Sequence, residues 1–165
     1  MAIVKPFKAV RPSRDKVALV SSKSFDAYTD KELDAKLEFN PFTFLHIINP
    51  GYKYHQEFTG EQRFQMIHNR YEEFKENKIF IKDTIDSFYI YESSDAHNSF
   101  CGIIAATAVD DYINGCIKKH EGTIKKREKL FESYLKTTGF NAEPVLLTYE
   151  DDENFNKLQI GRAHV

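Results

Sequence analysis

His120 and Glu121, followed by Gly122, Thr123 and then Arg127, are the residues of this chain whose types and spacing best suit chemistry. An imidazole or a carboxylate can take the proton of a hydroxyl group. Backbone N–H groups at Gly122 and Thr123, at a helix start, can hold a phosphate, and the Arg127 guanidinium can clamp it. With a metal ion, these are the parts that phosphoryl transfer to a small alcohol requires. A plainer reading is a helix cap with an internal Glu121–Arg127 ion pair, and the residues alone leave both open. A zinc protease is excluded, because its helix needs a second histidine at position 124, where the chain has Ile124.

The element that must position this run is an amphipathic helix. At 100° per residue Ile124, Arg127, Phe131, Tyr134 and Leu135 share one stripe, while Lys125, Lys126 and Lys129 lie on the other side. A guanidinium within an apolar stripe needs an anionic partner. If the helix or its lead-in reaches back to His120, then His120, Thr123 and Arg127 share the inward face. Gly139 marks the expected end.

Upstream, residues 2–11 read as a short strand broken by Pro6, and Val17-Ala18-Leu19-Val20 as a second. Thr29-Asp30-Lys31-Glu32 is a capping box opening a helix through Phe39. The apolar run 42–48, bounded by Asn40-Pro41 and Asn49-Pro50, reads as a buried strand containing His46. Thr59-Gly60-Glu61-Gln62 reads as another capping box, opening a helix whose Phe64, Ile67, Tyr71 and Phe74 form a clean stripe. Ile79-Phe80-Ile81 follows, then strands 88–91 and 100–109, expected to pair as an antiparallel hairpin. Residues 144–149 read as a last buried strand, and 150–157 are acidic and polar. The expected class is α/β in the α+β sense: a single domain with a mixed, largely antiparallel sheet and about three main helices.

Composition narrows the function classes. The chain has 165 residues, 41% hydrophobic and 14% aromatic, which is a globular balance. A net charge of −2 gives no basic footprint for nucleic acid. Lys118 to Lys129 is basic, but Glu121 and Glu128 interleave with it, as on a solvated helix face. Cys101 and Cys116 form no C-x-x-C pair and carry no basic activating pattern, so reduced thiols are expected. The amino terminus lacks the apolar core of a signal peptide, and no apolar run reaches the ~18 residues of a membrane span. A soluble, cytoplasmic protein with no nucleic-acid or membrane partner is expected; its oligomeric state stays open. His46 reads as a core histidine, and the Tyr52, Tyr54 and His55 loop as the cover of a core edge.

Ile160-Gly161-Arg162-Ala163-His164-Val165 matches one reading frame of a common sequencing adapter. Residues 1–159 are therefore expected to be the N-terminal portion of a longer protein, and 160–165 a non-native tail.

Asn40-Pro41-Phe42, His120-Glu121-Gly122-Thr123 and Asn141-Ala142-Glu143-Pro144-Val145 together resemble the bacterial and archaeal domain-of-unknown-function family 1015. The resemblance covers Met1 to about Glu150, and the H-E-x-T run is its sharpest marker. Family members run on to more than twice this length. Their second half carries an Asp-Gly-His-His-Arg run similar to that of the ParB and sulfiredoxin superfamily, which includes nucleotide-dependent enzymes and free-serine kinases. Nothing in this chain matches that second motif. The resemblance implies the N-terminal part of a nucleotide-dependent phosphotransferase acting on a small hydroxylated metabolite such as free serine. ATP or ADP with magnesium would be its phosphoryl source. His120 and Glu121 would be catalytic, and Gly122, Thr123 and Arg127 would bind phosphate or substrate, with no protein metal ligand. The fragment alone is expected to be inactive. The other class of function considered is a non-catalytic ligand-sensing or regulatory protein.

Overall fold

The computed structural model describes residues 2–119, 122 and 124–149. In chain order its elements are β1 (Val4–Lys5), β2 (Val10–Pro12), α1 (Val17–Val20), α2 (Asp30–Phe39), α3 (Leu45–Ile48), α4 (Gly51–Tyr54), α5 (Gly60–Glu76), β3 (Phe80–Lys82), β4 (Tyr89–Ser94), β5 (Ser99–Ile104), β6 (Ala106–Thr107), α6 (Val109–Ile113) and α7 (Lys125–Thr138). This is an α+β chain. Its described strands pair antiparallel in three two-stranded ladders, β1 with β6, β2 with β3 and β4 with β5. Its three main helices are α2, α5 and α7, of 10, 17 and 14 residues. Contacts divide the chain into two compact units.

The first unit, Lys8–Asp86 with Lys119–Phe140, contains the core. Phe64, Ile67, Tyr71 and Phe74 of α5 are all buried, as the i, i+3, i+7 spacing demands. Ile67 and Phe74 cluster with Val20, Ile47, Ile79 and Phe80, while Phe44, Tyr134 and Phe140 pack on the outside of that cluster. Tyr71 stacks on Phe140 with ring centroids 4.3 Å apart. The C-terminal end of α5 explains how Ile79 and Phe80 are delivered to this core. Lys78 adopts φ 56°, its N–H donates to Lys75 O and the Ile79 N–H donates back to Phe74 O. That is a Schellman ending, in which the left-handed residue reverses the chain and satisfies the last carbonyls. Here the left-handed position is held by lysine and not by glycine.

Two expected strands of this unit are helical turns. Val17–Val20 forms α1, with the Val20 N–H donating to Lys16 O and the Ser21 N–H to Val17 O. The 42–48 run forms a turn and then α3. The Asn40 side chain starts it, accepting from the Phe42 N–H at 3.1 Å and donating to Leu19 O at 2.6 Å. Leu45, His46 and Ile47 are buried, so the burial was read correctly and the conformation was not. A run this short shows no periodicity that separates a buried turn from a buried strand.

In the second unit, described over residues 2–7, 87–118 and 141–149, β4 and β5 form the expected hairpin, in register from Tyr89 opposite Ile104 to Ser94 opposite Ser99. Asp95 closes its turn, one carboxylate oxygen accepting from the His97 and Asn98 N–H groups, both at 2.7 Å. The expected long strand 100–109 is interrupted at Ala105. Beyond it β6 turns to pair with β1, and Val109 already begins α6. Residues 144–149 form no strand; Val145 and Leu146 are 80% and 72% exposed. Their apolar character alone carried that expectation, and it needs a pairing partner to become a strand. No helix among the described residues is long and apolar enough to cross a membrane.

Candidate functional site

Of the residues expected to carry chemistry, His120, Glu121 and Thr123 lie outside the described residues, and Gly122 and Arg127 are described. Gly122 is exposed, and a Cβ placed there would meet nothing within 4 Å. The helix begins at Lys125, with Ile124 extended at φ −78° and ψ 116° and offering no side-chain cap. Arg127 therefore falls in the first turn, together with Lys125 and Lys126, and it is exposed. The apolar stripe on which it was expected reaches the core only through the C-terminal half of α7. Ile124 and Phe131 are 64% and 50% exposed, whereas Thr138 is fully buried and Tyr134 meets Phe64 edge-on at 5.3 Å. The His68 ring nitrogen Nδ1 lies 2.9 Å from Thr138 O, fastening that end of α7 to α5. Cationic side chains at a helix N-terminus oppose the positive end of its dipole. An anion at this end would relieve both.

A second constellation lies under the other face of α5, built by residues that sequence reasoning passed over or assigned to the core. His46 on α3, Lys53 on α4, and Arg70 and Glu73 on α5 line a groove of about 380 Å³ with apolar walls from Phe42 and Phe74. Arg70 and His46 are only 6% and 7% exposed. The Arg70 Nη1–H donates to Glu73 Oε2, and Lys53 Nζ reaches the same carboxylate at 3.2 Å. The guanidinium also lies over the Phe74 ring, 5.4 Å from its centroid. Yet Arg70 Nε and His46 Nε2 are buried with no hydrogen-bond partner. Such groups are rare, because desolvating a donor or acceptor without a replacement bond is costly.

The electrostatics follow from this geometry. Burial lowers the His46 pKa, the Arg70 charge lowers it further, and main-chain hydrogen bonding to Leu37 and Asn40 opposes both without reversing the shift. The ring is therefore mainly neutral at pH 7. Burial raises the Glu73 carboxyl, but hydrogen bonds from Arg70 and Lys53, with their charges, outweigh it and hold its pKa below the usual value. No group of three or more His, Cys, Asp or Glu side chains among the described residues could hold a metal ion.

The sequence did contain a signal for the groove. Arg70 sits at i+3 from Ile67 and four before Phe74, within the stripe that buries α5. The rule applied to Arg127, that a guanidinium in an apolar stripe needs an anion, applies with more force to Arg70.

Residues 4–161 match a family model described as a protein of unknown function, DUF1015. No curated protein and no solved structure matches the chain.

Proposed function

The chain belongs to the DUF1015 family, and with that as premise we propose that it is the N-terminal part of a cytoplasmic, nucleotide-dependent phosphotransferase acting on a small hydroxylated metabolite such as free serine. One observation carries the reading: the start of α7 has no side-chain cap, its first turn holds Lys125, Lys126 and Arg127, and Gly122 lies exposed just ahead of it. Backbone N–H groups, a helix dipole and a guanidinium in one turn are what a transferring phosphoryl group requires.

In this reading magnesium-bound ATP or ADP supplies the phosphoryl group. The metabolite's hydroxyl oxygen bonds to the terminal phosphorus as the bridging P–O bond breaks. The hydroxyl proton passes to His120 or Glu121, and the shortened nucleotide leaves with the bond's electron pair. Gly122 and Thr123 N–H groups and Arg127 hold the phosphoryl oxygens. The partners are thus a small metabolite and a nucleotide, with no nucleic acid and no membrane. The exposed free thiols of Cys101 and Cys116 suit a reducing compartment.

A second reading, a non-catalytic ligand-sensing or regulatory protein, is favoured by the groove of His46 and Arg70, which suits binding and includes no group placed for transfer. Incubating the full-length gene product with ATP or ADP, magnesium and serine, and weighing the products, separates the two. Phosphoserine supports the phosphotransferase. Saturable binding of serine or nucleotide without phosphoserine overturns it in favour of the sensor.

A further inference from the structure

We infer that the N-terminal half of α7 is a docking surface for an acidic protein segment that also carries apolar side chains. The inference does not rest on the phosphotransferase reading, because a phosphoryl group would answer Arg127 and leave its apolar neighbours uncovered. Its foundation is an overhang. Helices α5 and α7 run side by side in the same direction, since Phe64 meets Tyr134, His68 meets Thr138 and Tyr71 meets Phe140. The same offset brings Gly60, where α5 begins, to the level of Leu130 on α7. Residues 125–129 therefore stand beyond the start of α5, over about 7 Å at the rise of an α-helix. The stripe that packs on α5 continues along this overhang through Ile124, Arg127 and Phe131, with Leu130 beside it. No described residue buries it: Ile124, Leu130 and Phe131 are 64%, 60% and 50% exposed.

The charges select the partner. Lys125, Lys126, Arg127 and Lys129 lie within the overhang, and none of them enters a salt bridge among the described residues. Against the single carboxylate of Glu128 they leave this half of the helix strongly positive. A second copy docking by the same face would bring like charges together, which excludes a symmetric pair. A lipid surface would bury the Arg127 guanidinium among acyl chains, since Arg127 sits within the apolar stripe. A carboxylate set among apolar side chains meets both needs. It accepts from the guanidinium in bidentate fashion while its neighbours cover Ile124, Leu130 and Phe131. The Phe131 ring is already stacked on Tyr134, with centroids 5.8 Å apart, and Phe64 holds Tyr134 edge-on. It is thus a preset aromatic anchor, ordered before any partner arrives.

The test uses the whole chain, without nucleotide, and a labelled synthetic peptide of Glu, Leu and Ala arranged as one Leu face edged by Glu. Controls are the same peptide with Gln for Glu, a scrambled peptide of equal composition, and phosphatidylserine vesicles. Fluorescence anisotropy reads the affinity, and backbone amide signals in NMR locate the contact. The acidic peptide should bind saturably and shift the signals of residues 124–131. The Gln and scrambled peptides should bind at least ~10-fold more weakly. Phe131→Ala should weaken binding about 10-fold, the loss that goes with a central aromatic anchor. Since Phe131 stacks on Tyr134, the more exposed Leu130→Ser provides a second variant, expected to weaken binding severalfold with an unchanged unfolding transition. Absence of peptide binding, equal binding of the Gln or scrambled peptide, tighter association with the vesicles, or unchanged affinity in both variants would overturn the assignment.

Discussion

Arg70 and Glu73 stand one helical turn apart on α5, and their ion pair engages a single arm of the guanidinium, leaving Nε buried without a partner. Glu73 is thereby the anchor that both Arg70 and Lys53 depend on. Glu73→Gln should leave a buried guanidinium without its counter-charge and destabilise the chain by about 1–3 kcal/mol, discounted for the partial exposure of Glu73. Urea denaturation of the variant against the parent checks this. A midpoint within error of the parent would mean that Arg70 is held by packing on Phe74 alone.

The same cluster sets a pH dependence. His46 has its pKa lowered on folding, mainly by burial, so the unfolded chain binds its proton more readily than the folded one. Its neutral form is compatible with the fold, and its contribution is fully present above the ordinary histidine value of about 6.5. That contribution is lost as pH falls from there through the lowered folded value. Glu73 acts with the same sign at lower pH, its folded pKa lying below the ordinary carboxylate value. Unfolding midpoints recorded from about pH 7.5 down to about pH 3 should fall in two stages, the lower one setting in below the ordinary carboxylate value, and His46→Gln should flatten the upper one. An upper stage that persists in His46→Gln would assign it to another group.

Lys78 occupies the left-handed position that closes α5, where a side chain is strained. Lys78→Gly should stabilise the chain by about 1 kcal/mol, the strain relieved at such a position less the added freedom of the unfolded glycine. Thermal unfolding reads the change, and a lowered midpoint would contradict the Schellman assignment.

Thr29 and Thr59 open α2 and α5, and the sequence reads as a capping box at both, but only Thr29 closes one; the box expected at Thr59 does not form. The Thr29 side chain accepts from the Glu32 N–H, the Glu32 side chain reaches back to the Thr29 N–H at 2.8 Å, and Thr59 makes no side-chain cap bond. Thr29→Ala should cost about 1 kcal/mol and Thr59→Ala no more than a few tenths. Equal losses in parallel denaturant titrations would contradict this.

The long amphipathic helices were legible because α5 repeats its apolar residues over 17 positions, enough for period to override local ambiguity. The hairpin was legible from alternation around a polar turn that Asp95 closes. The runs at 17–20 and 42–48 were not, because four to seven apolar residues fit a buried turn as well as a strand. For α7 the stripe was correct in angle and wrong in extent. Tyr134 and Thr138 meet α5, while Arg127 lies beyond the packed part and stays exposed. The groove escaped notice because His46, Lys53, Arg70 and Glu73 come from three helices, two of them unforeseen. Only Arg70, placed among Ile67, Tyr71 and Phe74, announced it.

The central claim concerns phosphoryl transfer at the start of α7, and Arg127 tests it most directly because its exposure uncouples function from stability. The measurement is transfer of a labelled terminal phosphoryl group from magnesium nucleotide to serine by the full-length gene product and its Arg127→Ala variant. Loss of a guanidinium that stabilises the transferring group should lower the rate by about 10² or more. The unfolding midpoint should stay within error of the parent. Labelled phosphoserine formed at equal rates by both proteins, or by neither, would contradict the account.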